Sequence, residues 1–179
     1  DLGAIQAGAK VVLAIDNWDP ALKIHHANHP KVPSFNYELG GSIVETAVFI
    51  REHLTPGSHF HLHGSPPCQA LSNASSQDSE EGMVLVNWFI DLVAYMKPDS
   101  WSMENVVPVA KKIDRHRPGT PYVKINSADL GVPQTRSRIF AGEGWKVELT
   151  HAKEDWVSVL EALPNIVGEL EITSNKNIR

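Results

Sequence analysis

Cysteine, long apolar runs and an excess of positive charge are what this 179-residue sequence lacks. Its one cysteine, Cys68, excludes a disulfide framework and a cysteine-based zinc finger. The longest apolar stretch, from Met83 to Met96, contains Asn87 and Asp91 and is too short and too polar to cross a bilayer. Sixteen Lys and Arg residues face twenty-one Asp and Glu residues, so the net charge is -5. That balance excludes a domain that holds nucleic acid by bulk positive charge.

The remaining composition is that of an ordinary folded domain. Hydrophobic residues make up 42% and charged residues 21%, which excludes an intrinsically disordered chain. The length fits one domain, in which patterned sequence extends to about Pro164 and residues 165–179 form a weakly patterned tail. A lone cysteine is compatible with a reducing, intracellular compartment.

Predicted strands and helices alternate along the chain. The apolar run 11–15 predicts a buried strand that ends at Asp16, and Asp19-Pro20 predicts the start of a helix with Asp19 as its cap. Further strands are predicted at 59–63, 100–103, 122–125 and 138–141, and further helices at 43–54, 84–96 and 155–163. The segment between Glu104 and Asn126 looks too short for a helix. This alternation predicts an α/β fold with a Rossmann-like, doubly wound, mostly parallel sheet.

Three polar residues lie at or just past predicted strand ends: Asp16, Cys68 and Glu104. Ligands of such sheets bind outside the carboxyl ends of the strands, so we expect these residues to converge on one crevice. An acid in the position of Asp16 suits the ribose hydroxyls of a nucleotide-like cofactor. A helix cap or a surface acid beside Asp19 explains Asp16 equally well.

Cys68 and Glu104 are the candidate reactive groups. Pro66 and Pro67 fix φ before the thiol, and a stiff loop that presents a cysteine suits a nucleophile. A buried structural cysteine is the alternative. A carboxylic acid such as Glu104 protonates or hydrogen-bonds a ring nitrogen if its pKa is raised, whereas a surface glutamate does neither.

Three clusters of basic or imidazole side chains can each be interpreted as a binding site or as an ordinary structural feature. Arg136 and Arg138 are two apart in a predicted strand, where they would share a face and hold a base oxygen, phosphate or carboxylate, or form an ion-pair patch. The basic segment 111–117 either tracks a phosphate backbone or is a solvated loop. The histidines at 59, 61 and 63 have a spacing that zinc sites use, but no Cys, Asp or Glu joins them at a standard spacing.

Taken together, the motifs resemble the DNA cytosine-5 methyltransferase family, from about Leu2 to about Pro164. The segments that carry the resemblance are the nucleophile loop Pro67-Cys68-Gln69 with its continuation 70–72, the triplet Glu104-Asn105-Val106, the late segment 126–138 and the cofactor segment 3–16.

The resemblance implies a methyl transfer from S-adenosylmethionine to carbon 5 of a flipped-out cytosine in double-stranded DNA. It implies that Cys68 attacks carbon 6, that Glu104 engages ring N3, and that Arg136 and Arg138 hold the base, the loop or the backbone near it. The cofactor-binding residues implied by position are Asp16, Asn17, Trp18, Glu38, Leu39 and Pro67. The substrate-binding residues implied in the same way are Gln69, Ser72, Asn105 and Gln134.

The sequence departs from the family's pattern at both ends. The glycine-rich start of the first cofactor motif does not precede Asp1, and no target-recognition region follows residue 164. We therefore expect residues 1–164 to be a catalytic core that lacks its recognition domain, and residues 165–179 to be a tail or the start of a recognition region. Either a missing segment or a second polypeptide would supply that domain, or the chain is a degenerate remnant.

Other functions remain open at this point. One is an inactive or incomplete subunit that binds cofactor or DNA, and another is a cytosine-5 methyltransferase that acts on RNA. The Pro-Pro-Cys-Gln form of the nucleophile loop favours DNA. A histidine-based metal protein is the third alternative.

Overall fold

The computed structural model describes residues 1–67 and 83–164. The helices are α1 Leu2–Gln6, α2 Asp19–Asn28, α3 Ile43–Arg51, α4 Val84–Met96, α5 Val109–His116 and α6 Val159–Ala162. The strands are β1 Ala14–Asp16, β2 Ser34–Asn36, β3 His61–Gly64, β4 Ser100–Val106, β5 Tyr122–Asn126 and β6 Ser137–Glu143. None of the helices in the described ranges is long and apolar enough to cross a membrane.

The described residues divide into two compact units. Residues 1–61 and 83–99 form the first unit, and residues 62–67 and 100–164 form the second. Each unit has its own sheet, and the residues with candidate chemistry are distributed between the two units.

The described part of the first unit contains a short parallel sheet and the four helices α1 to α4. Strands β1 and β2 pair in parallel, with Asp16 opposite Asn36, and α2 packs against both strands. Helix α3 packs against α4, which is apolar on most of its surface. Buried side chains of α4 are Val86, Phe89, Leu92, Val93 and Met96. Because burying one such side chain contributes about 1.5–3 kcal/mol, this face of α4 is a main source of the unit's stability.

The second unit is a four-stranded sheet in the order β3-β4-β6-β5. Strand β6 is antiparallel to β4 and to β5, so those two strands run in the same direction. Residues of β4 alternate between a buried face, with Trp101 and Met103, and a half-buried face, with Ser102 and Glu104. This alternation places the candidate acid on the side of β4 away from Met103.

Several predictions from the pattern are confirmed and others are corrected. The α/β class is confirmed, and α4 has the predicted bounds. The cap of α2 is Trp18, so Asp19 is a helical residue and not the cap. Strand β4 continues to Val106, so Glu104 lies inside the strand and not at its end. Helix α5 occupies the segment that looked too short for a helix, and the basic residues 111–116 lie on it and not on a loop.

Gly142 is the position in the second sheet where only glycine fits. Its φ is +151°, and a Cβ there would lie 2.1 Å from the carbonyl oxygen of Trp101 and 2.6 Å from Nε1 of Trp145. That Nε1 donates to the same carbonyl oxygen at 2.7 Å, so neither group can move aside without losing the hydrogen bond. The close approach of β6 to β4 therefore depends on the absence of a side chain at Gly142.

We expect Gly142→Ala to lower the free energy of unfolding by about 3 kcal/mol or more, because backbone strain and a steric clash add. Urea unfolding followed by circular dichroism measures the change. Gly3→Ala is the matched control, since a Cβ at Gly3 meets nothing within 4 Å. Equal unfolding midpoints for Gly142→Ala and the unsubstituted chain would contradict this account of β6.

Candidate active site

An ion pair joins the candidate acid to one of the two candidate arginines. In the β4–β6 register, Glu104 is opposite Phe140 and Val106 is opposite Arg138, so Glu104 and Arg138 are diagonal neighbours on one face. Nε of Arg138 donates to Oε1 of Glu104 at 2.9 Å. The side chains are 28% exposed for Glu104 and 23% exposed for Arg138. The pair is thus partly shielded from water while the carboxylate stays accessible to a ligand.

A second contact fixes Arg138 from its own strand. Its Nη1 donates to the carbonyl oxygen of Ser137 at 2.8 Å. The guanidinium therefore has a backbone acceptor on one nitrogen and a carboxylate on another. Held in this way, Arg138 orients the carboxylate of Glu104 as well as balancing its charge.

Asn105 links β4 to the segment just before the candidate nucleophile. Its side chain is buried, with 2% exposure, and its Nδ2 donates to the carbonyl oxygen of Pro66 at 3.0 Å. Its Oδ1 accepts from the amide of Val106 at 2.9 Å, so both ends of the carboxamide are used. The structure thus brings the Glu-Asn-Val triplet and the Pro-Pro segment together.

Three predicted site residues lie outside the described residues: Cys68, Gln69 and Ser72. Pro67 is the last described residue before them, and it is exposed. The predicted convergence of Cys68 with Glu104 therefore stays a prediction, although the Asn105–Pro66 bond anchors the chain just before Cys68.

His63 is a polar residue of this face that the sequence did not single out as part of the site. Its Nδ1 shares a hydrogen bond with Oγ of Ser102 at 2.8 Å, and Ser102 shares a face of β4 with Glu104. Neighbouring protein atoms desolvate the ring and lower the pKa of His63, and the charge of Glu104 opposes this shift in part. Within the ranges that the structure describes, no three metal-ligating side chains form a cluster.

The lowered pKa of His63 gives an expected pH dependence of stability. Below pH 6.5 the unfolded chain takes up a proton on this histidine that the folded chain resists, so the free energy of unfolding falls as the pH drops toward the folded pKa. We expect His63→Gln to reduce this slope between about pH 7 and pH 5. Urea midpoints across that range measure it, with the exposed His26→Gln as control. If His63→Gln and the unsubstituted chain have the same slope, the folded state does not disfavour protonation of His63.

Arg136 differs from Arg138 in its position relative to β6, in its exposure and in its side-chain contacts. It lies before β6 begins at Ser137, so strand alternation does not place it on a face with Arg138, contrary to the sequence-based prediction. Its side chain is exposed, and its guanidinium makes no hydrogen bond or ion pair within residues 1–67 and 83–164. Gln134 is exposed in the same segment. Arg136 is therefore the candidate cation that is available to an external anion.

The predicted cofactor residues of the first unit gather at one edge of its sheet. Asp16 ends β1, its Oδ1 accepts from the amide of Trp18 at 2.8 Å, and its backbone oxygen accepts from the amide of Tyr37 at 3.1 Å. Glu38 and Leu39 follow Tyr37 directly, so both predicted acids lie near the carboxyl ends of β1 and β2. The Trp18 side chain is 63% exposed, and Asn17 is exposed.

These residues fit a nucleoside ligand chemically. Oδ1 of Asp16 is held by the turn, whereas its Oδ2 makes no bond within the described parts of the chain and can accept from a ribose hydroxyl. The exposed indole of Trp18 offers a stacking surface for a purine. The fit concerns the first unit, whereas Glu104, Asn105 and Arg138 belong to the second.

A family model and several curated proteins match this chain. The family model for C-5 cytosine-specific DNA methylases matches residues 1–117, which is more than half of the chain. The type II methyltransferase M.HgiGI of Herpetosiphon aurantiacus is 34% identical over 110 residues, covering 59% of this chain and 79% of that protein. M.HgiDI of the same organism is 30% identical over 153 residues, covering 78% of this chain and 46% of that protein.

Solved structures show the same fold. A putative DNA modification methyltransferase encoded within an E. coli prophage superposes with a TM-score of 0.69 at 22% identity, over 91% of this chain and 50% of that one. The Dnmt2 methyltransferase of S. pombe superposes with a TM-score of 0.55 at 15% identity, over 98% of this chain and 52% of that one. This chain thus spans about half the length of several relatives that it matches. Because the family model matches more than half of the chain, the chain belongs to the C-5 cytosine-specific DNA methylase family.

Proposed function

We propose that this chain supplies the catalytic residues for transfer of a methyl group from S-adenosylmethionine to carbon 5 of cytosine in double-stranded DNA. The observation that carries the proposal is the ion pair between Glu104 and Arg138, on a strand whose next residue, Asn105, anchors the segment before Cys68. One acid, one fixed cation and one thiol are the groups that this chemistry needs.

The first proposed step is nucleophilic attack by Cys68. Carbon 6 of cytosine is inaccessible in a stacked duplex, so the base must leave the helix before the thiolate reaches it. The new S–C6 bond pushes electron density toward ring N3 and carbon 5. A free thiol has a pKa of about 8.5, so the thiolate needs stabilisation from its surroundings.

Glu104 acts at the ring nitrogen in this proposal. A proton delivered or shared by its carboxyl group neutralises the charge that develops on N3, which makes carbon 5 an enamine-like nucleophile. Arg138 positions the carboxyl group through the 2.9 Å contact and keeps it at the edge of the sheet face. When a base is absent, the same contact satisfies the carboxylate.

The cofactor, when bound, supplies an electrophilic methyl group to carbon 5. Asp16 accepts hydrogen bonds from its ribose, and Trp18 stacks on its adenine in this proposal. Asn17, Glu38 and Leu39 are the further cofactor residues proposed in the first unit. The family resemblance assigns the methionine end of the cofactor to Pro67. Loss of the carbon-5 proton and cleavage of the S–C6 bond then release 5-methylcytosine and the free thiol of Cys68.

The remaining predicted residues contact the substrate. Gln69 and Ser72 follow the nucleophile and would border the flipped base. Gln134 and Arg136 are exposed before β6 and would contact the DNA near the extruded nucleotide.

The test is incorporation of a labelled methyl group. The chain is incubated with S-adenosylmethionine carrying a tritiated methyl group and with a cytosine-containing duplex, and the digested nucleosides are separated. We expect the label in 5-methyldeoxycytidine. Label only in an equivalent RNA would establish an RNA enzyme, and cofactor or DNA binding without any label would establish a binding subunit, and either result contradicts the proposal.

A further inference from the structure

One side-chain carboxamide, that of Asn126, accepts hydrogen bonds from both ends of the loop between β5 and β6. Asn126 is the last residue of β5, and its Oδ1 accepts from the amide of Ala128 at 3.3 Å and from the amide of Arg136 at 3.0 Å. A single oxygen atom thus holds the beginning and the end of the loop. Asn126 is also opposite Ser137 in the strand register, so the clamp lies where the two strands diverge.

Ser127 completes the hold on Arg136. Its backbone amide donates to the carbonyl oxygen of Arg136 at 3.0 Å, and its Oγ donates to the same oxygen at 3.2 Å. Both backbone polar groups of Arg136 are therefore engaged before β6 begins. The guanidinium, by contrast, is exposed and has no partner in the described part of the chain.

The interior of the loop is also fixed by its own backbone. The amide of Val132 donates to the carbonyl oxygen of Ser127 at 3.2 Å, and the amide of Gln134 donates to the carbonyl oxygen of Val132 at 2.7 Å. Gly131, with a φ of +79°, ends the short 3₁₀ helix Ser127–Leu130. These hydrogen bonds hold parts of the backbone from which the exposed side chains Gln134, Thr135 and Arg136 project.

We infer that Asn126 is a positioning residue: it fixes the backbone of Arg136, from which the exposed guanidinium reaches a phosphate of the DNA backbone. The inference rests on the proposed function, because it takes DNA as the ligand. Arg138 already pairs with Glu104, so Arg136 is the arginine of this segment that is free to meet an anion. A guanidinium matches two phosphate oxygens, and fixing its backbone beforehand lowers the entropy lost on binding.

The hydrogen-bond roles at Asn126 give a selective substitution. The side chain uses only Oδ1, as an acceptor, and its Nδ2 makes no bond within residues 1–67 and 83–164. Asn126→Asp keeps an acceptor of the same shape, whereas Asn126→Ala removes it. The aspartate variant should therefore preserve the clamp and the alanine variant should release it.

The first experiment tests the clamp without DNA. Amide hydrogen exchange at Arg136, measured by NMR on the full chain, should be slow in the unsubstituted protein and in Asn126→Asp. In Asn126→Ala it should be faster by about tenfold or more, since one hydrogen bond that protects the amide is gone. Unchanged exchange in Asn126→Ala would overturn the clamp, whatever the protein binds.

The second experiment tests whether Asn126 acts through Arg136. Binding of a cytosine-containing duplex is measured for Asn126→Ala, Arg136→Ala and the double variant, with Asn28→Ala as the matched control. In the part of the chain that the structure describes, the side chain of Asn28 bonds only its own helix, through Nδ2 to the carbonyl oxygen of Ile24 at 2.8 Å. We expect a Kd about three- to tenfold higher for Asn126→Ala, little change for Asn126→Asp, and no further loss in the double variant relative to Arg136→Ala.

Removing Arg136 should also make the plot of log binding constant against log salt concentration less steep. The expected change in slope is about 0.9, the contribution of one phosphate contact. The positioning role would be overturned if the increases in Kd of the two single variants multiplied in the double variant. It would also be overturned if Asn126→Asp bound the duplex as weakly as Asn126→Ala. If the unsubstituted chain binds no DNA, the choice of phosphate as ligand and the proposed function both fail, while the exchange result still decides the clamp.

Discussion

Cys68→Ala is expected to abolish methyl transfer to DNA while leaving the fold intact. The alanine side chain has no atom that can bond to carbon 6 of cytosine, so the covalent step on which carbon-5 activation depends is lost. Removing the nucleophile of an enzyme that works through a covalent intermediate costs on the order of 10⁴-fold or more in kcat. The measurement is tritiated methyl incorporation over a long incubation.

The control for this variant is binding. Affinity for duplex DNA should be retained, because Arg136 and the rest of the exposed surface are unchanged. Cys68→Ser offers a second test, since a hydroxyl is a far weaker nucleophile at neutral pH than a thiolate and should be almost as inactive. Methylation by Cys68→Ala at a rate near that of the unsubstituted chain would assign the nucleophile to another residue.

Glu104→Gln is expected to lower kcat by about 10²- to 10⁴-fold, the usual contribution of a positioned acid or base. Glutamine has nearly the same volume, so the face of β4 remains filled. It has no ionisable proton for ring N3, however, and it offers Arg138 a neutral acceptor in place of a carboxylate. The rate should therefore fall much more than the stability.

Stability separates this effect from misfolding. Both partners of the ion pair are about one quarter exposed, so solvent screening limits the loss on replacing the charge to about 1 kcal/mol or less. Glu148→Gln, on an exposed residue of the same unit, is the matched control and should change neither the rate nor the urea midpoint. If Glu104→Gln keeps more than about a tenth of the activity, Glu104 does not act at N3.

Local patterns predicted the helices and strands that bury one clear face. Helix α4 was predicted with its correct bounds because its apolar residues repeat at helical spacing. Strand β2 and helix α1 were not predicted, since each is short and neither has a buried hydrophobic residue. Helix α5 was missed because it has eight residues and only Val109 and Ile113 are buried, while its other face is charged.

The position of Glu104 could not be read from its own strand. Hydrogen bonding to β6 extends β4 through the pair Val106–Arg138, and that pairing joins segments far apart in the sequence. The same register brings Arg138 to Glu104, whereas spacing alone had suggested that Arg136 and Arg138 act as a pair. The contacts of Asn105 with Pro66 and of Asn126 with Arg136 are also made between separate segments. The periodicity of the sequence therefore does not predict them.

The sequence motifs nevertheless led to the correct family. The triplet at Glu104 and the loop at Cys68 are short, and each is weak evidence alone. Their order along the chain indicated the family, and the family model for C-5 cytosine-specific DNA methylases matches residues 1–117. The roles of the individual residues remain proposals that the substitutions above test.

The most direct measurement is covalent trapping with 5-fluorocytosine. Fluorine at carbon 5 cannot leave as a proton does, so a base that has been attacked and methylated stays bonded to the enzyme. The chain is incubated with S-adenosylmethionine and a duplex that carries 5-fluorocytosine, and is then digested and analysed by mass spectrometry. The expected result is a methylated 5-fluorocytosine nucleotide on the peptide that contains Cys68. Methylated DNA without any adduct on that peptide would contradict the mechanism.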